Sequence, residues 1–358
     1  MFTEEIKKQR FDKDCRILVD GILKAFEIEP EAILLCGGYG RGEGAWYEDE
    51  DGKPTPYNDY DVAVITERPL SRDKYIILRK ELASKIGINW VDIDCYSQAQ
   101  LSRMLATIHN VDLFKASTLL WGNKNWNKGR TLESRRIGDS DITRLYTTRM
   151  WTFLGPVTEQ EQDLNVADSR FFRNQMAKAV LAGCDMRLVA KHLYTTSYQE
   201  RVNIVCNNLL DDVGFKELCK WAICEKLTPS SIQMNALEVK ELYNKTYQFF
   251  IDSFGYAMGW KAKYYLTPTR TKVYQLLCTS CIPLIMYNRL RGNNAVWKSF
   301  EIMRAQNYVF RAYSTTGDYN KRYLTLASDI LIKYNYISEP ILNWRKACSV
   351  VAKARNNV

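Results

Sequence analysis

Histidine is almost missing from this chain: its 358 residues contain two, His109 and His192. A Cys₂His₂ zinc site therefore has no basis, and a Ser-His or Cys-His nucleophile would have only those two rings to draw on. Long hydrophobic runs are missing too. The longest apolar stretches, such as Cys281 to Met286, are far shorter than a bilayer span, so no membrane partner is expected. The N-terminal MFTEEIKKQRFDKDC carries acids and lacks an apolar core, which argues against a signal peptide and leads to an expectation of a cytoplasmic protein. Low-complexity segments are absent, and no fixed repeat period points to a solenoid.

What is present is the balance of a folded globular protein, 46% hydrophobic and 25% charged, over a length that suits two domains. The ten cysteines mostly sit among apolar neighbours, as in LLCGG and KWAIC, and read as buried thiols of a reducing compartment. Cys278 and Cys281 have the spacing of a redox pair, but they lie inside a helical apolar pattern without a second such pair, so packing is the expected role. The net charge of +9 is unevenly spread. Residues 1–130 hold 19 Lys+Arg and 21 Asp+Glu, a balance of −2, whereas residues 131–358 hold 31 and 20, a balance of +11.

Residue periodicity divides the chain in the same way. Residues 4–27 repeat apolar positions at helical spacing; Ala32–Cys36 is a short buried strand ending at Gly37-Gly38. Asp59–Ile65 and Asn89–Tyr96 predict two more strands, with helices over 71–86, opened by Ser71, and from Ser97 to about Ile108. After about residue 140 the strand signals stop. Helical periodicity covers 168–193, 198–225, 229–257, 270–290, 295–313, 318–336 and 339–355, with start signals at Asp168, at Thr228-Pro229 with Ser230-Ser231, and at Asp318. The expectation is an α/β (α+β) domain with a small mixed sheet over 1–135, followed by a larger all-α domain over 136–358.

The chemistry concentrates in the first part. Gly37-Gly38-Tyr39-Gly40-Arg41-Gly42-Glu43-Gly44 directly follows a buried strand, and glycine that dense lets backbone N–H groups close around phosphate oxygens. It is neither a Walker loop, lacking Gly-Lys-Ser/Thr, nor a clean dinucleotide-binding turn, because an acidic loop and a strand follow where a helix would start. Asp59 and Asp61, at i and i+2 of the next strand, share one face of the sheet. Carboxylates that close repel unless a cation sits among them, and Mg²⁺ takes oxygen ligands beside phosphate. Asp92 and Asp94 offer a further acid on a neighbouring strand, giving the elements of a two-metal phosphoryl-transfer site.

Leu35-Cys36-Gly37-Gly38-Tyr39-Gly40-Arg41-Gly42-Glu43, Asn58-Asp59-Tyr60-Asp61-Val62 and Val91-Asp92-Ile93 together resemble the nucleotidyltransferase superfamily of DNA polymerase beta. The Arg-Gly-Glu after the glycines and the helical second part are most similar to its aminoglycoside nucleotidyltransferase branch. The resemblance covers roughly residues 32–100. It implies that Gly37 and Gly38 hold phosphates through backbone amides, that Asp59 and Asp61 ligate two Mg²⁺ ions, and that Asp92, with Asp94 as the alternative, ligates the catalytic metal and helps deprotonate the acceptor. Arg41 stands where that family has a turn arginine, either touching nucleotide or bracing the loop with an acid such as Glu43. Lys178, on a basic helix over 168–193, is the expected lysine on the triphosphate, with a solvated cationic face as the alternative.

Two features depart from the family pattern. Gly38 replaces a frequent Ser, and Gly38 to Asp59 spans 21 residues, about double the usual spacing. The excess is WYEDEDGKPTPY, Trp46 to Tyr57, an acidic segment whose Asp51-Gly52 predicts a hairpin tip, either a lid for a cationic acceptor or a solvated turn. In the helical part, Arg187 and His192 match an Arg-x4-His spacing known from helical ribonucleases, against the plainer expectation of a salt-bridged Arg and a packed His. Tyr264-Tyr265 and Tyr308 to Tyr313 with Arg311 suit either base stacking or helix packing. The expected activity is transfer of an NMP from an NTP to a hydroxyl acceptor, a small molecule first, with an RNA 3′ end or a protein side chain as alternatives. A silent nucleotide-binding regulator is the alternative from outside enzymology.

Overall fold

A computed structural model describes residues 3–49, 51–57, 59–68, 75–155, 162–262, 294–313 and 319–356. Two compact units emerge. The first comprises Met1–Ile137 together with Tyr194–Arg201 and Ile223–Pro229; the second comprises Gly138–Leu193, Val202–Ala222 and Ser230–Val358. The expected division at 135/136 gave each domain a single stretch of chain, and these units interleave instead.

The first unit is built on a four-stranded sheet in the order β5-β4-β1-β6, from β1 (Ala32–Cys36), β4 (Tyr60–Thr66), β5 (Val91–Ser97) and β6 (Thr118–Gly122). β1 runs antiparallel to β4 and β6, and β4 runs parallel to β5, so the sheet is mixed as expected. Alternation decides its two faces. Ile33, Leu35, Tyr60, Val62, Val91 and Ile93 bury one face with α1 (Glu4–Ala25) and α3 (Ile76–Ile86), as their shared apolar cluster shows. Leu34, Ala63 and Ile65 bury the other with Leu101 of α4 (Gln98–Arg103) and Leu113 of α5 (Ile108–Ala116). A four-residue helix, α2 (Gly37–Gly40), follows β1 directly.

Three local differences from the sequence expectation have clear causes. The helix expected from Ser97 to about Ile108 is two helices. Ser97 does cap α4 through a capping box with Gln100, but Arg130 bonds the carbonyls of Leu101 and Met104, and Thr107 caps α5 separately. β6 was not anticipated, because five apolar-leaning residues carry no decisive period. The acidic segment does form a hairpin, β2 (Trp46–Glu48) against β3 (Pro54–Pro56), with Gly52 at φ 75° in its tip. Ser71, the expected helix cap, lies outside the described residues.

The second unit is helical: α6 (Asp139–Leu154), α7 (Val166–Ala190), most of α8 (Tyr198–Asn208) and α9 (Val213–Leu227), α10 (Ala236–Met258), α11 (Asn294–Ala312), α12 (Lys321–Lys333) and α13 (Trp344–Asn356). Helical periodicity along the sequence did not include α6. It also ran α8 and α9 together; Asp212, bonding the Phe215 N–H at 2.7 Å, opens α9 as a new helix. Asn165 and Asn235 cap α7 and α10, so Asp168 stands inside the first turn of α7 and the Thr228–Ser231 signals precede their helix by several residues. Asn320 caps α12; Asp318, Cys278, Cys281, the 270–290 helix and Tyr264-Tyr265 lie outside the described residues.

Several expectations for single side chains are corrected here. Arg187 forms the expected salt bridge, with Asp252, but is buried and also bonds Ser253 and the Leu209 carbonyl, while His192 is exposed at a positive φ of 58°, not packed. Cys224 is exposed, whereas Cys184, Cys206, Cys219 and Cys348 are buried and Cys15, Cys36 and Cys95 half-buried. Tyr308 and Phe310 are core residues and Tyr313 packs on Trp344, which favours helix packing for that segment.

Phe153 lies at the centre of this core, with its ring 5.3–5.8 Å from those of Tyr243, Tyr247, Phe250 and Phe310. Phe153→Ala should cost about 3–5 kcal/mol, because four packed rings cannot collapse into the space together. Denaturant unfolding followed by circular dichroism should show the fall in midpoint; an unchanged midpoint would contradict this packing.

Candidate functional site

β4 and β5 pair in parallel with Asp61 opposite Asp92. Both therefore point to the same face, and Asp59, two residues before Asp61, joins them at the strand's entry. One carboxylate oxygen from each of Asp59, Asp61 and Asp92 lies within 4.8 Å of the others. Asp59 is exposed, and Asp61 and Asp92 are half-buried. Asp94 falls outside this group. It pairs in register with Ala63, one pleat further along, and meets Arg79 at 4.0 Å. The geometry thus selects Asp92 over Asp94 as the third acid of the cluster.

The glycine turn is fitted to these acids. Gly37 has φ 63°, and a Cβ there would collide with the Asp61 carboxylate. Glycine is required twice over, by the left-handed backbone and by the close approach. Gly44 has the second such requirement, since a Cβ would run into the Tyr39 ring. The Tyr39 hydroxyl donates to the Ala45 carbonyl and accepts from the Tyr57 N–H, so one buried side chain ties the turn to the hairpin.

Arg41 is fully engaged by protein. It pairs with Asp112 at 2.9 Å and Glu43 at 3.4 Å, and its guanidinium lies 4.5 Å over the Tyr198 ring. Glu43 accepts from the Ser197 hydroxyl at 2.8 Å and the Tyr198 N–H at 3.0 Å, capping the start of α8. Asp112 also receives Tyr194 and Arg201. Of the two roles expected for Arg41, these contacts describe the brace. Lys178 is half-buried on α7, which belongs to the second unit, and is engaged by protein contacts of its own.

Burial and the neighbouring Asp59 and Asp92 push Asp61 up to about 7, opposed by the charges of Lys226 and Arg41. Cys36, opposite Asp61 in β1, is pushed up to about 12, chiefly by burial and then by Asp61. Asp92 is anchored through a single oxygen: Oδ1 receives Trp90 Nε1 at 2.8 Å and Arg79 at 3.4 Å. Its Oδ2 has no protein partner among the described residues. Three carboxylate oxygens facing one another match the donor set of a hard divalent cation.

Residue spacing left out Arg79, Lys226, Asp112 and Arg201. A signal for Arg79 existed, since it shares the buried stripe of α3 with Leu82, Ala83 and Ile86, and a buried arginine needs an acid. Lys226, Asp112 and Arg201 had no such mark. No protein-family model matches this sequence, and a comparison with curated proteins finds no significant match.

The raised Asp61 gives a prediction with a definite sign. The folded protein retains this proton above the usual carboxylate range, where the unfolded chain has lost it. The stabilisation is full below about pH 4 and disappears as pH rises through about 7. Without metal, the melting temperature of the wild type should fall between about pH 4 and 7 relative to Asp61→Asn. Mg²⁺ should raise it more at the higher pH, because a cation competes with that proton. Differential scanning calorimetry with and without EDTA tests this, and identical pH profiles for the two proteins would refute it.

Proposed function

We propose that the chain is a metal-dependent nucleotidyltransferase that moves an NMP from an NTP to a hydroxyl acceptor. The observation that carries this is the cluster of Asp59, Asp61 and Asp92 oxygens within 4.8 Å, set against a turn whose Gly37 must lack a Cβ for Asp61 to fit. An acidic cluster alone would suit any cation. A glycine turn packed directly against the acids places backbone N–H groups beside the cation they would hold, which suits a metal–triphosphate substrate.

In this reading Asp59 and Asp61 would hold two Mg²⁺ ions, with Asp92 on the catalytic one. Bound there, the ions would neutralise charge developing on the phosphoryl oxygens and lower the pKa of the acceptor hydroxyl. The chain's own groups do the rest. Gly37 and Gly38 present backbone N–H groups to the phosphates, and Asp92 Oδ2 accepts the acceptor's proton as its oxygen bonds the α-phosphorus and pyrophosphate leaves. Trp90 and Arg79 hold Asp92 by Oδ1, which fixes the direction of that second oxygen. Arg41 and Glu43 brace the turn through Asp112 and the start of α8, so they contribute position. The acceptor is proposed to be a small molecule, with RNA and protein acceptors as arms of the test.

The test uses α-labelled ATP, GTP, CTP and UTP with Mg²⁺, offered to small hydroxyl compounds, RNA and total protein. Label transfer should be lost by about a thousandfold or more in Asp59→Asn/Asp61→Asn, the scale on which lost charge stabilisation slows phosphoryl transfer. If wild type and variant bind NTP equally and neither transfers label to any acceptor, the enzyme proposal fails in favour of a silent nucleotide binder.

A further inference from the structure

A concavity adjoins the glycine turn within the first unit. It has a volume of about 410 Å³, in the range of small-molecule sites. Phe11, Tyr39 and Trp46 line it with Lys7 and Lys8 of α1 and Thr228. The Tyr39 and Phe11 rings stack at 6.5 Å, and Trp46 stands edge-on to Tyr39 at 5.8 Å. With its hydroxyl already spent on Ala45 and Tyr57, Tyr39 presents ring alone. Phe11 and Trp46 are only half-buried, so the rings are incompletely covered by protein.

Glu4, Lys7 and Lys8 supply the charges of the lining, one acid against two bases. Lys7 is paired with Glu4 at 2.9 Å, but Lys8 is exposed and has no partner among the described residues. Gly42, on the wall, would meet nothing if given a Cβ, so the space above it is open. Aromatic faces beside a spare ammonium select a flat or ring-shaped body carrying an anionic group.

The concavity is also linked to the acid cluster. Gly37 touches Asp61 at one end of the turn while Gly42 and Gly44 line the concavity at the other. Likewise Lys226 acts on Asp61 while the next residues, Leu227 and Thr228, line the concavity. We propose that this concavity binds a phosphorylated ring compound, its ring against Trp46 and Phe11 and its phosphate toward Lys8. If the nucleotidyl-transfer reading holds, this is the acceptor's site; the binding itself does not depend on that reading.

The test measures binding by calorimetry in EDTA without NTP, using glucose 1-phosphate and AMP as probes for a sugar and a base, with inorganic phosphate as the control. At least one ring phosphate should bind about tenfold or more tightly than inorganic phosphate. Lys8→Glu and Trp46→Ala should each weaken it by about tenfold, while Trp46→Phe, which keeps a ring, retains most of it. Asp59→Asn/Asp61→Asn should leave it unchanged, so a failure of label transfer with this binding intact removes only the activity proposal. The inference is overturned if neither ring phosphate binds below about 10 mM, if inorganic phosphate binds as well, if Lys8→Glu and Trp46→Ala have no effect, or if the double Asn variant abolishes it.

Discussion

The parallel register of β4 on β5 is the constraint on which the candidate site depends. Opposing Asp61 to Asp92 concentrates negative charge where two strands meet, and Asp59 adds to it. Burial, with repulsion from Asp59 and Asp92 added to it, raises Asp61 to about 7. A fold optimised for stability alone would not put three acids within 4.8 Å of one another. The surroundings show how that cost is contained. Arg79 and Trp90 hold Asp92, and Lys226 and Arg41 lower the local potential without closing the cluster.

The turn is held by charge at a distance from its own glycines. Arg41 and Glu43 are polar residues in a loop, yet each is bound by groups from elsewhere in the first unit: Asp112 on α5, and Ser197 and Tyr198 at the start of α8. Arg41 is charged and largely buried, and such a residue is tolerated only where its hydrogen bonds are met. The brace gives the glycine turn a fixed shape despite the flexibility of its composition.

Much of this was legible in the residues. Alternation in DYDVAVI and NWVDIDCY places Asp59 with Asp61, and Asp92 with Asp94, each pair on one face of its own strand. The hairpin at Asp51-Gly52 and the cap at Ser97 follow from local turn and helix-end chemistry. The split between α4 and α5 was not legible, because it depends on Arg130 reaching back to two carbonyls far away in sequence. β6 was not legible either, since a short apolar run becomes a strand only when an edge such as that of β1 is offered to it.

By itself the sequence determined the acids and the shared face of each pair along its strand, because side-chain alternation acts within a few residues. Tertiary structure decided which acids meet. Only the pairing of β4 with β5 sets Asp92 opposite Asp61 and puts Asp94 one pleat away. It likewise decided that Arg41 serves as a brace and that Lys226 acts on Asp61, through contacts between residues more than 70 positions apart. Side-chain period is local and can be read along the chain. Strand register and the partners of buried charges are set by packing, which no local pattern contains.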